Sequence, residues 1–231
     1  MGERLGSPEN KAMKLLTTSF FTLVLLRFAG GSYGQTDFEV TKLLAEQGEA
    51  FAQYNLGVMY ENGVGVPEND VDAVKWYRLA AEQGRARAQN NLGVMYENGE
   101  GVSENNAEAI KWFRLAAGNG NASAQINLGN MYDYGEGVPE NDAVAVKWYR
   151  LAAEQGNANA QSNLGVMYYN GEGVRQNNVR AYIWWSVAAA QGQEDAKRNR
   201  GLVTERLTPD QLTQAQQIAA RCIESDYQDC E

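Results

Sequence analysis

Histidine is absent from the 231 residues, and cysteine occurs only twice. Without histidine there are no Ser–His or Cys–His nucleophile systems, no imidazole bases and no His-ligated zinc or haem. Two cysteines are too few for a cysteine-only zinc or iron–sulfur site. No serine has a lysine three residues later, so the Ser-x-x-Lys signature of penicillin-binding acyl-enzyme chemistry is missing. No catalytic residue, metal or cofactor is expected. Proline is scarce at 4, whereas glycine reaches 24 alongside 5 Trp and 12 Tyr. A flexible linker does not combine those counts, so the glycines must hold positions in a folded body.

Long apolar runs are lacking except for one, from Leu15 to Leu26, broken by Thr17, Thr18, Ser19 and Thr22. Lys11 and Lys14 precede it, and Ala29, Gly30, Gly31 and Ser32 follow. This is the pattern of a secretory signal peptide over residues 1–34, with Met13 as a second candidate start. Ser32 and Gly34 suit the −3 and −1 positions, which puts cleavage before Gln35. A membrane anchor needs about 20 apolar residues, and the run is too short for one. The expected location is a bacterial periplasm or the exterior, with no membrane span left after cleavage.

Charge divides at the same place. Of the 20 bases and 29 acids, four and two fall in the first 34 residues. The remainder holds 16 against 27, a net of −11. So acidic a body argues against nucleic acid and anionic lipid, and suits a basic protein partner.

The body repeats every 36 residues. The step links Leu56-Gly57, Leu92-Gly93, Leu128-Gly129 and Leu164-Gly165. It also links Tyr60 and Gly63-x-Gly65 to their later copies, then Trp76, Trp112, Trp148 and Trp184, and Gly84 to Gly120, Gly156 and Gly192. A fixed period of this length indicates stacked units. Each copy reads as two helices. Ala52, Leu56 and Tyr60 form the stripe of helix A. Gly63 suits a left-handed C-cap, and Asn69 suits the N-cap of helix B. Ala73, Trp76 or Tyr77, Ala80 and Ala81 form the second stripe. Gly57 sits mid-helix at a cost of about 1 kcal/mol against Ala, which implies a backbone contact that tolerates no Cβ, with another helix expected to cross there.

Units are expected at 49–84, 85–120, 121–156 and 157–192. Residues 35–48 form an N-terminal half-repeat helix, and 193–231 form capping helices and a tail. Arg200 replaces a core leucine, as an outer cap requires. Thr208-Pro209-Asp210-Gln211 opens a last helix. In an exported chain, Cys222 and Cys230 are expected to form a disulfide. The Gly-x-Gly turns follow no strand and precede no Gly-Lys-Ser/Thr, so they are turns rather than phosphate loops.

These landmarks, with Ala52-Gln53, Leu56-Gly57, Tyr60, Gly63, Gly65-Val66, Ala73, Trp76, Ala80-Ala81 and Gly84 in the first copy, resemble the Sel1-like repeat, a relative of the tetratricopeptide repeat. The resemblance covers about residues 38–205. It implies an all-α, right-handed α/α superhelix used in assembling protein complexes. Copy four departs from the pattern, with Arg175-Gln176 for Pro-Glu and Ile183-Trp184-Trp185 for Lys-Trp-Tyr.

In related repeats helix A lines the inner face. Positions beside its stripe are Tyr54, Glu61, Asn90, Glu97, Ile126, Asn130, Asp133, Ser162 and Tyr169. Glu61, Glu97 and Asp133 recur at the period as an acidic ladder, flanked by Tyr54 and Tyr169 as aromatic anchors. A groove for an extended or helical segment bearing Lys or Arg is expected, with a basic peptide segment or an envelope protein as the partner. The function expected is an adaptor or regulator of other proteins. The alternative is a cell-envelope hydrolase, β-lactamase-like or peptidoglycan-directed, as suggested for some cysteine-rich Sel1-like relatives. Their paired cysteines are missing from these repeats.

Overall fold

The computed structural model describes residues 33–230, so the expected signal run lies outside the described residues except for Tyr33 and Gly34. Among the described residues there are eleven helices and no strand. They are α1 (Tyr33–Glu46), α2 (Ala50–Asn62), α3 (Asp70–Glu82), α4 (Ala86–Asn98), α5 (Asn106–Gly118), α6 (Ala122–Tyr134), α7 (Asp142–Glu154), α8 (Ala158–Asn170), α9 (Asn178–Ala190), α10 (Glu194–Thr204) and α11 (Pro209–Glu224). Four hairpins, α2–α3 to α8–α9, stack in chain order into a solenoid. No described helix is long and apolar enough to cross a membrane.

Each hairpin is closed by the same devices. Gly63 ends α2 at φ 66°, a left-handed conformation that favours glycine, and its N–H bonds back to the Met59 carbonyl. The Asn69 N–H reaches the Tyr60 carbonyl at 2.9 Å, and the bond recurs from Asn105, Asn141 and Asn177 to Tyr96, Tyr132 and Tyr168. The side chains of these four asparagines then cap the B helices by accepting from the backbone N–H three residues on. At Gly101 (φ +66°) an added Cβ would strike the backbone where the preceding B helix begins, 2.8 Å from Val71 N. The turn therefore packs directly on its neighbour.

The core lies between copies. Ala73, Val74, Tyr77, Ala80 and Ala81 of α3 share one cluster with Ala88, Leu92 and Met95 of α4. The equivalent cluster joins α5 to α6. Leu56, Leu92, Leu128 and Leu164 are fully buried. Each contributes roughly 1.5–3 kcal/mol by removal from water. Trp76 and Trp184 are buried, whereas Trp112 and Trp148 are half-buried and lean on the cluster of the preceding copy.

The contact that excludes a Cβ at Gly57 is made by a side chain rather than by a crossing backbone. A methyl there would lie 2.6 Å from Cδ1 of the Tyr77 ring. Phe113, Tyr149 and Trp185 cover Gly93, Gly129 and Gly165 in the same way.

A buried amide ladder runs alongside. Gln53, Gln89, Gln125 and Gln161 each donate to a carbonyl eight residues earlier, those of Ala45, Ala81, Ala117 and Ala153. Each accepts in turn from Gln83, Asn119, Gln155 or Gln191 at the end of its own B helix. The ladder thus ties three helices together and leaves no buried amide oxygen or nitrogen of this set unpaired.

The C-terminal end departs from the stacking. α10 buries only Ala196 and Val203, while Arg200 is half-buried in place of the core leucine. α11 opens on a capping box from Thr208 and Gln211 with Pro209 at its first position. It packs chiefly on α9 rather than continuing as the partner of α10. Ala215, Ala219 and Cys222 share a cluster there with Val187 and Ala188. Cys222 and Cys230 form a disulfide, which suggests an oxidising compartment. The loop it closes reaches back to copy three. Gln228 donates to the Glu154 carbonyl at 3.0 Å, and Tyr227 covers Gly156.

Candidate protein-binding face

All nine helix A positions proposed to meet a partner are half-buried. Six of them gather around the residue that follows Trp76, Trp148 or Trp184. Around Tyr77, the Tyr54 ring lies 5.8 Å away and Glu61 accepts the Tyr77 hydroxyl. Around Tyr149, whose hydroxyl donates to both, Asn130 stands at 2.8 Å and Asp133 at 3.1 Å. Around Trp185, Tyr169 lies 5.5 Å away, and the indole N–H donates to the Ser162 carbonyl at 3.1 Å. Ile126 packs against the C-terminal cluster.

Copy two differs because its ring is Phe113. Glu97, at the register of Glu61, has no phenol to match Tyr77, and burial raises its carboxyl above the ordinary value, with help from Glu136. Burial also raises Asp133, with the Tyr149 hydroxyl opposing and Asp142, Glu172 and Glu140 adding. The Tyr77 and Tyr149 phenols are pushed above their ordinary values, first by burial and then by their carboxylate partners. Both are therefore protonated donors at neutral pH.

The A helices also touch one another. Asn127 donates to Asn90 at 3.3 Å, and Asn163 donates to Asn130 at 3.4 Å. These bonds stitch α4 to α6 and α6 to α8, with Glu97 and Asp133 on the stitched helices. Sequence reasoning named Asn90 and Asn130 but missed their donors Asn127 and Asn163, although 91, 127 and 163 repeat at the period. It also missed a ladder of guanidinium groups, in which Arg78, Arg114 and Arg150 donate to Tyr96, Tyr132 and Tyr168 of the next copy. The recurrence of Arg two residues after Trp was the available signal.

Among the described residues no group of His, Cys, Asp or Glu is arranged to hold a metal ion. The chemistry this face offers is hydrogen bonding and charge.

The Sel1 repeat model matches residues 50–84, 86–121, 122–157 and 158–193. The chain is similar to a Sel1 repeat protein of Oxalobacter formigenes, at 36% identity and TM-score 0.65, over 79% of this chain and 72% of that one. It is also similar to a protective antigen of uropathogenic Escherichia coli that displays an SLR fold. There the identity is 31% and the TM-score 0.56, over 85% of this chain and 50% of the antigen. No protein with a curated description matches. With four consecutive units matched over most of the body, and with the amide ladder and capped hairpins repeating in register, the chain belongs to the Sel1 repeat family.

Proposed function

We propose that the chain is an exported scaffold that binds partner proteins along its A helices, as an adaptor or regulator. Sel1 repeat proteins are generally protein-interaction scaffolds, and the fold is typically non-enzymatic. The disulfide agrees with an oxidising compartment. The signal-like run before residue 35 agrees with export to a bacterial periplasm or beyond.

One observation carries the reading. Glu61 and Asp133 are held by the hydroxyls of Tyr77 and Tyr149, with Glu97 at the same register between them. Half-buried carboxylates in fixed positions lose less side-chain freedom on binding than solvated ones. A partner segment carrying Lys or Arg at matching intervals makes charge-assisted hydrogen bonds to them. Tyr54 at one end of the row, with Tyr169 at the other, supplies apolar contact.

Cross-linking in intact cells, read by mass spectrometry, tests this. The native chain is compared with one carrying Glu61→Lys, Glu97→Lys and Asp133→Lys. Partner segments linked near α2, α4 and α6 should be basic, and the triple variant should lose them. Unchanged capture would end the acidic-ladder reading.

A further inference from the structure

The turn chemistry of the four copies is not uniform. Copies one to three carry acids around the start of helix B, as Glu68, Asp70 and Asp72, then Glu104 and Glu108, then Glu140 and Asp142. In copy four those registers hold Gln176, Asn178 and Arg180, and Arg175 replaces the Pro, Ser and Pro of the earlier copies. The charge of the turn is thus reversed at one place in a chain whose net charge is −9.

The folded chain adds to that reversal. A cleft of about 620 Å³ opens between this turn and the start of α11. Arg150, Arg175, Arg180 and Arg206 line it, and no Asp or Glu does so among the described residues. Arg150 and Arg180 both donate to the Tyr168 hydroxyl, at 2.6 and 2.8 Å. Arg206 lies over the Tyr169 ring at 4.8 Å. Three of the four guanidinium groups are therefore oriented by aromatic partners. Val174, Val179 and Leu207 give the cleft an apolar part. Asn178 lines the same wall, and its buried side-chain oxygen has no hydrogen-bond partner among the described residues.

We propose that this cleft binds an acidic peptide segment, with its carboxylates received by Arg175 and Arg206 beside Arg150 and Arg180. Guanidinium forks match carboxylates in two-point geometry. A peptide also brings apolar side chains for the Val174 and Leu207 part. A bare inorganic oxyanion such as sulfate brings acceptors alone. The site is separate from the acidic row on α2, α4 and α6, and it has the opposite charge.

The test uses fluorescein-labelled hexaglutamate and the purified full chain, read by fluorescence anisotropy. The net charge of the protein repels this probe, so binding reports a local basic site. Saturable one-site binding is expected at low salt. Arg175→Glu with Arg206→Glu should weaken it at least tenfold, with the circular dichroism spectrum unchanged because both side chains are exposed. Unlabelled hexaglutamate should compete, and sulfate at matched ionic strength should not. Absence of saturable binding, full affinity in the double variant, or equal competition by sulfate would each overturn the proposal.

Discussion

Replacing Gly57 and Gly201 by alanine should shift stability in opposite directions. The two occupy the same register, four periods apart. At Gly57 the new methyl would lie 2.6 and 2.7 Å from two carbons of the Tyr77 ring. That ring is fully buried, so it has nowhere to move. Overpacking of this kind costs about 1–3 kcal/mol. Alanine returns about 1 kcal/mol of helix propensity. The clash sets the sign, and Gly57→Ala should lower stability by up to about 2 kcal/mol. At Gly201 nothing lies within 4 Å, because α11 leaves α10 to pack on α9. Only the propensity gain remains there, about 0.5–1 kcal/mol. For a chain of this size each kcal/mol moves Tm by about 2–4 °C. Thermal melts followed at 222 nm should show Gly57→Ala lower by up to roughly 8 °C and Gly201→Ala higher by about 1–4 °C. In a Tyr77→Ala background, Gly57→Ala should turn neutral or stabilising, since the two residues are coupled through that contact. Equal shifts of the same sign for Gly57→Ala and Gly201→Ala would refute the argument that the ring decides where glycine is required.

Glu97→Gln should raise stability at neutral pH. The folded chain holds the Glu97 proton above the ordinary 4.5, so the native state binds more protons than the unfolded state in that window, and stability falls as pH rises through it. Denaturant titrations from pH 4.5 to 8 should show this fall flattened in the variant. Phe113→Tyr should act on the same group, because its hydroxyl would face Glu97 as Tyr77 faces Glu61. The expected gain at pH 7 is about 1 kcal/mol, from one hydrogen bond to a charged acceptor. Gln161→Leu removes a fully buried amide that bonds to both the Ala153 carbonyl and Gln191, and leaves the Gln191 side-chain N–H without that acceptor. A loss of about 1–3 kcal/mol is expected in urea unfolding. Cys222→Ser with Cys230→Ser opens a short loop worth about 2–3 kcal/mol on the chain-entropy model. Hydrogen exchange should then increase around residues 222–230 and at the end of α7, where Gln228 and Tyr227 rest.

Much of the fold was legible in the sequence because a period exposes any residue whose role is repeated. The hairpins, the Asn69 and Thr208 caps, the Gly63 turn and the cysteine pairing all follow from local rules acting on neighbouring residues. Legibility ended where the choice depended on tertiary direction. Trp76 and Tyr77 are adjacent and both aromatic, and helical spacing alone does not say which covers Gly57. The role of Gln53 stayed hidden because nothing nearby in the chain announces that Ala45 and Gln83 will satisfy it. The seat of α11 on α9 was also hidden, since its apolar stripe fits either neighbour. On the candidate face, the acids were visible at their spacing, but their tyrosine donors lie sixteen residues away on another helix.

The stretch from Trp76 to Gly84 is identical, residue for residue, to that from Trp148 to Gly156. A chain lacking 85–156 would therefore join Gly84 to Asn157 through a boundary the protein already uses. The C-terminal loop would rest on Glu82 and Gly84 in place of Glu154 and Gly156. Shortening or lengthening by whole hairpins is thus open to this gene through recombination between its own copies, with reach along a partner changing in discrete steps while the ends remain the same.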